Sequence, residues 1–152
     1  MKKQNQLVLP VILVASLFIF SCSNKEDTPA PAPKTKTQLI MQGSWSFDKA
    51  LSGSFDVSSQ VPACYKDNVV TFTSSSAGTV SSTVTCTPTD VTPPTFTWSW
   101  QSSETILALN APLFPGGTGN FTLVSLTETA LVVSQDVNFG TGTANITFYY
   151  KH

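Results

Sequence analysis

Arginine is absent from this chain of 152 residues, and histidine occurs once, as His152 at the end of the given sequence. Charged residues make up only 11% of the composition, and the formal net charge is −1. Nucleic-acid binding requires a basic footprint and forked guanidinium contacts; scattered lysines supply neither, so that class is excluded. A Ser-His-Asp relay needs an embedded histidine, which His152 is not expected to be. There is no CxxC pair for zinc, and Asp48 and Asp56, which bracket a predicted hairpin, lack the calcium-loop pattern. Among Asp48, Asp56, Asp67, Glu104, Glu128 and Asp136 no spacing singles out a glycosidase pair. The expectation is a chain that is not an enzyme and carries no metal or cofactor.

Also missing is any apolar run long enough to cross a bilayer. The longest, Leu7 to Phe20, has 14 residues and is interrupted by Pro10, against about 20 for a spanning helix. What surrounds it is informative. Met1-Lys2-Lys3 precedes it, and the small residue Ser21 and then Cys22 follow: a basic start, a short greasy run and a small residue make an export signal. The pattern resembles a bacterial lipoprotein signal, in which residues 1–21 are removed and Cys22 becomes the lipidated first residue. Phe20 stands where the strict consensus prefers a small residue, a departure that lipoproteins of the Bacteroidota tolerate. Acyl chains contribute about 0.8 kcal/mol per buried methylene, so two or more on one cysteine anchor stably. The run Ser23-Asn24-Lys25-Glu26-Asp27 resembles the signal that sends such lipoproteins to the outer face of the outer membrane. A solvated spacer on a periplasm-facing anchor is the alternative. With Pro29, Pro31 and Pro33 at alternate positions, residues 22–37 are expected to form an extended stalk.

Cysteine is scarce, and the lipid assignment divides it. With Cys22 acylated, Cys64 and Cys86 remain, and an even remainder in an exported chain favours a disulfide over two buried free thiols.

From residue 38 to 152 the chain is rich in Ser, Thr, Val and Phe, punctuated by Gly and Pro, with no long helical periodicity. Thr35 to Gln42 is compatible with one helical turn capped by Thr35 or Thr37. Strands are predicted at Gly43–Ala50, Gly53–Ser58, Asn68–Ser74, Thr79–Thr87, Thr95–Gln101, Thr105–Leu109, Gly119–Leu126, Ala130–Asp136 and Thr143–Lys151. Phe96, Trp98 and Trp100 fall on one face, with Thr97, Ser99 and Gln101 opposite; Ile146, Phe148 and Tyr150 repeat the pattern. That period of two marks sheets with one dry face. Short turns between so many strands point to an all-β, antiparallel up-and-down barrel, closed or nearly so.

Gly43-Ser44-Trp45, just after the short turn, matches the Gly-x-Trp motif that opens the first strand of lipocalins. Ala63-Cys64-Tyr65-Lys66-Asp67-Asn68-Val69-Val70-Thr71-Phe72 is similar to a Cys-x-Lys-Asp-Asp-x-x-x-Phe segment of lipocalin-like lipoproteins in Bacteroidota. Cys86, the Trp strand at Phe96–Trp100 and a Leu-Thr-x-Thr hairpin after Phe121 complete that order. The resemblance covers most of residues 38–152 and implies a lipocalin-like barrel. In lipocalins the motif Trp packs beneath an Arg from the final strand. No Arg exists here, so Lys151 is expected over the Trp45 ring, with Gly43 and Trp45 forming the closing motif, or that closure is absent. An immunoglobulin-like β-sandwich is the alternative fold; its Trp lies between two cysteines, whereas Trp98 and Trp100 follow both.

For function, the resemblance and the inventory of rings leave binding. Phe72, Phe96, Trp98, Trp100, Phe121, Leu123, Phe148 and Tyr150 are candidates to line a cavity for a small hydrophobic ligand. Equally, they are the core of a solid barrel whose loops meet a protein or glycan partner. An interior void on the order of hundreds of Å³ marks the first case, and dense packing the second. The connection Thr87–Thr95 and the loop Asn110–Gly119 are candidate contact surfaces or lids.

Overall fold

The computed structural model describes residues 31–86 and 92–152. The expected signal, Cys22 and the spacer as far as residue 30 lie outside the described residues, as do residues 87–91 of the connection before Thr95. Residues Pro33–His152 form one folded unit.

Among the described residues nine strands alternate with turns: β1 (Ser44–Ser52), β2 (Phe55–Asp56), β3 (Val69–Phe72), β4 (Ala77–Ser81), β5 (Thr95–Gln101), β6 (Ile106–Leu109), β7 (Asn120–Leu126), β8 (Ala130–Asn138) and β9 (Thr143–Lys151). Every pairing is antiparallel, and the order β1-β3-β4-β5-β6-β7-β8-β9 returns to β1 through a β1–β9 ladder from Ser46↔Lys151 to Leu51↔Thr147. The sheet is therefore a closed eight-stranded up-and-down barrel of lipocalin-like architecture, with β2 a two-residue appendage on β1. Closure leaves no room for the sandwich alternative.

Alternation in the sequence explains the inward face. Phe96 and Trp98 of β5 are buried while Thr95, Thr97 and Ser99 are exposed; Ile146, Phe148 and Tyr150 of β9 are buried in the same way. Each such side chain removed from water contributes about 1.5–3 kcal/mol. Trp45, Phe121 and Ile40 are the largest side chains wholly inside.

One end of the barrel is plugged by α1 (Lys36–Ile40). Thr35 caps it in a reciprocal box, its Oγ1 accepting from the Gln38 N–H at 3.2 Å while Gln38 Oε1 accepts from the Thr35 N–H at 2.8 Å. The plug is tied to the strands by two indoles: Trp45 Nε1 donates to the Ile40 carbonyl at 2.8 Å, and Trp100 Nε1 to Thr37 Oγ1 at 3.2 Å. Outside it, Lys34 pairs with Glu128 at 2.8 Å, which holds that carboxyl below its usual range. Lys36 Nζ donates to the Glu104 carbonyl.

The expected cation over Trp45 is not Lys151, whose ammonium instead meets Asp48 Oδ1 at 2.7 Å on the outer surface. Successive β-strand residues face opposite ways, so Lys151 points outward after the inward Tyr150. The next residue reaches the indole instead. The His152 imidazole lies over Trp45 with ring centroids 3.9 Å apart, and its Nδ1 is 2.9 Å from the Ser44 carbonyl oxygen. Gly43 makes this possible, since a Cβ there would fall 2.7 Å from the imidazole.

Several strands are shorter than their sequence patterns, β2, β3 and β4 most of all. β2 stops at Asp56 because Asp56 Oδ1 accepts the Ser58 N–H at 2.8 Å and starts a 3-10 turn, Ser58–Gln60. β4 stops at Ser81 because the next residues turn to meet α2 (Ala63–Lys66), a helical turn that strand periodicity did not announce.

Candidate functional site

The end of the barrel opposite α1 is built by four connections, and the site follows from how the strands run out there. β1 pairs with β9 only as far as Leu51↔Thr147, so residues 143–146 of β9 are laddered to β8 alone. The chain leaving β1 swings away through β2 and the 3-10 turn. Into the resulting gap come Val57, Val61, Pro62 and Tyr65 from one side. Val137, Phe139, Ile146 and Phe148 of the β8–β9 hairpin face them, with Phe114 and Pro115 of the 110–119 loop above. The space between measures about 320 Å³, predominantly apolar, with Gln60 and Asn138 as its polar contributors. That is at the low end of the roughly 300–1,000 Å³ usual for small-molecule sites.

Three fastenings hold these walls. First, Cys64 and Cys86 are joined in a disulfide, with Cα atoms 5.3 Å apart, fixing α2 and therefore Pro62 and Tyr65 on either side of Cys64. Second, Asp67 Oδ2 accepts from Thr83 Oγ1 at 2.8 Å, Thr83 N–H at 2.7 Å and Val84 N–H at 2.8 Å. Those donors, the Thr83 hydroxyl foremost, stabilise the carboxylate and hold its pKa below 3.8. Third, the Gly116 carbonyl accepts from the Asn138 N–H at 2.8 Å, seating the 110–119 loop on β8. Gly116 has φ +74°, and a Cβ there would fall 2.0 Å from the Asn138 oxygen, so this position requires glycine.

The same loop fills the barrel beneath it. Leu113 is buried in the core, and the Phe114 ring packs on Phe148 with centroids 4.6 Å apart. Below Leu113 lies a void of about 20 Å³, bordered by Trp45, Phe72, Phe121 and Tyr150. Such a void holds about one water. Large rings on the inward face and the descending Leu113 narrow the interior there, and the larger apolar space, about 320 Å³, lies at the mouth.

The eight candidate residues separate accordingly. Phe148 reaches the mouth cavity. Phe72, Phe121 and Tyr150 border the small inner void, and burial raises the Tyr150 phenol far above its ordinary pKa, keeping it neutral. Phe96 and Trp98 pack edge-to-face on Phe72 at 5.5 and 5.1 Å, and Trp98 also meets Trp100 at 5.8 Å. Leu123 packs against the core from its margin. These last four are wall, away from the cavity. Most of the cavity comes from loop residues that strand alternation does not single out. The only sequence signals were apolar clusters where turns are normally polar, Val61-Pro62 and Leu113-Phe114-Pro115. No protein-family model matches this sequence, and no curated protein matches it either.

Proposed function

We propose that this chain is a lipid-anchored envelope protein whose lipocalin-like barrel takes up a small hydrophobic molecule at its mouth, without chemical turnover. The observation that carries the reading is the apolar space of about 320 Å³ between Val57, Val61, Val137, Ile146 and Phe148. Its walls come from segments far apart in the sequence, and a disulfide, a clamped carboxylate and a glycine contact fasten them. Such fastening preorganises a cavity, which lowers the ordering cost of binding. Cys22 is the proposed lipidation site, anchoring the protein to the outer membrane with the barrel displayed at the cell surface. The Cys64–Cys86 bridge supports an oxidising compartment outside the cytoplasm.

The test is binding of an environment-sensitive apolar dye to the protein and to Val61→Trp, which fills the cavity from its loop side. Affinity should fall at least tenfold in the variant with little change in unfolding midpoint. Equal affinity in the two proteins refutes the site. A second reading, a solid barrel that meets a protein or glycan through its loops, is favoured by the 20 Å³ interior and by the exposed hairpin-tip residues Phe55 and Phe139. It predicts that native mass spectrometry of protein from its own host finds no retained small molecule.

A further inference from the structure

Inside the barrel wall, next to the mouth cavity, stands a polar group with unfinished hydrogen bonding. Gln135 occupies an inward position on β8 between Val133 and Val137, directly across from Ile146 of β9, and is only 5% exposed. Its Oε1 accepts from the Thr118 N–H at 2.7 Å and from Thr118 Oγ1 at 3.3 Å. A backbone N–H can only donate, so this contact fixes which end of the amide carries oxygen. The Nε2 end is left buried with no partner. A buried donor without an acceptor costs about 1–3 kcal/mol, and native proteins rarely leave one without a reason.

The amide stands just behind the cavity's wall, Gln135 itself not being one of the lining residues. Val137 and Ile146, the neighbours of Gln135 along and across the sheet, both line the cavity, as does the Phe114 ring. At Gly117 a Cβ would lie 2.8 Å from the Phe114 ring and 3.2 Å from Gln135 Oε1. The bare glycine lets the cavity's aromatic wall and the amide approach the same spot. Nε2 is shut off from the space as it stands, so a ligand would reach it only with a wall side chain such as Phe114 turned aside.

We infer that Gln135 Nε2 is the polar anchor of the mouth site, and that the ligand enters with a neutral carbonyl oxygen foremost. This rests on the binding reading above and specifies its ligand class: an apolar molecule carrying an ester, ketone or amide. A carboxylate is disfavoured for a physical reason. Among the described residues no lysine or histidine side chain is buried, so no buried cation is present to offset the desolvation of an anion. A pure hydrocarbon would leave Nε2 unpaired.

The test compares methyl octanoate, octanoate and nonane on the full-length protein at neutral pH, with the infrared carbonyl stretch of bound ester as a second readout. The ester should bind about tenfold more tightly than either of the others, the size of one completed hydrogen bond in a dry site. Its carbonyl stretch should shift to lower frequency on binding. Gln135→Leu should abolish both the preference and the shift while nonane still binds. Should that variant fail to fold, Gln135→Met and the three-probe comparison on the unaltered protein decide the matter. Equal binding of ester and nonane with no carbonyl shift overturns this inference alone, leaving a trapped water as the partner of Nε2. Absence of binding by all three probes overturns the mouth site itself.

Discussion

Replacing both Cys64 and Cys86 by Ala tests how the mouth is held. The two residues are 22 apart in sequence. On the chain-entropy model, closing a loop of that size restricts the unfolded chain enough to stabilise the fold by about 3.4 kcal/mol. For a unit of this size that corresponds to a melting temperature lower by roughly 13 °C. The loss should not be purely global. Cys64 sits in α2 between Pro62 and Tyr65, both of which border the cavity, and without the bridge the Asp67 clamp is left to tie the end of α2 to Thr83 and Val84. Urea unfolding of the double variant should therefore show the stability loss, and dye affinity at the mouth should weaken under conditions where the barrel is still fully folded. A stability change below about 1 kcal/mol would contradict the loop-closure reasoning. Unchanged dye affinity would show that the bridge does not organise the cavity. In the unaltered protein, thiol titration should find neither Cys64 nor Cys86 reactive.

Gly116→Ala forces a Cβ toward the Asn138 carbonyl at φ +74° and should cost about 1–3 kcal/mol in chemical unfolding; a neutral effect would remove the close contact from the account. The Asp67 carboxyl is depressed below 3.8 by its Thr83 and Val84 donors. Its stabilisation is therefore complete above that value and lost as pH falls through the lower folded pKa. The amide chemical shifts of Thr83 and Val84 should follow the carboxyl with a midpoint below 3.8; a midpoint at or above that value would refute the clamp. Cys22→Ala should release the protein from the membrane fraction, and persistence there would refute lipidation.

The barrel was legible because its determinants are local. Phe96, Trp98, Ile146, Phe148 and Tyr150 recur at every second position, and that periodicity alone commits a strand to one dry face. Turn residues between such runs, together with the Gly43-Ser44-Trp45 opening, then leave few arrangements other than an antiparallel meander. Thr35 and Gln38 likewise announce their helix, since a capping box is complete within four residues. All nine predicted strands therefore have counterparts, although several, β2, β3 and β4 most of all, are shorter than the patterns that foretold them.

The site was not legible in the same way, because it is made by contacts between segments that no local pattern connects. Which residue covers Trp45 depends on where β9 ends relative to β1, and that register sends Lys151 to Asp48 and His152 to the indole. Whether inward rings line a cavity or fill it depends on the volume they share with Leu113, which arrives from a loop. Gln135 reads as an ordinary polar residue in a strand; only the closed barrel makes it inward, buried and half-satisfied. Local periodicity determined the barrel. Register, volume and the packing of distant loops decided that its larger apolar space lies at the mouth.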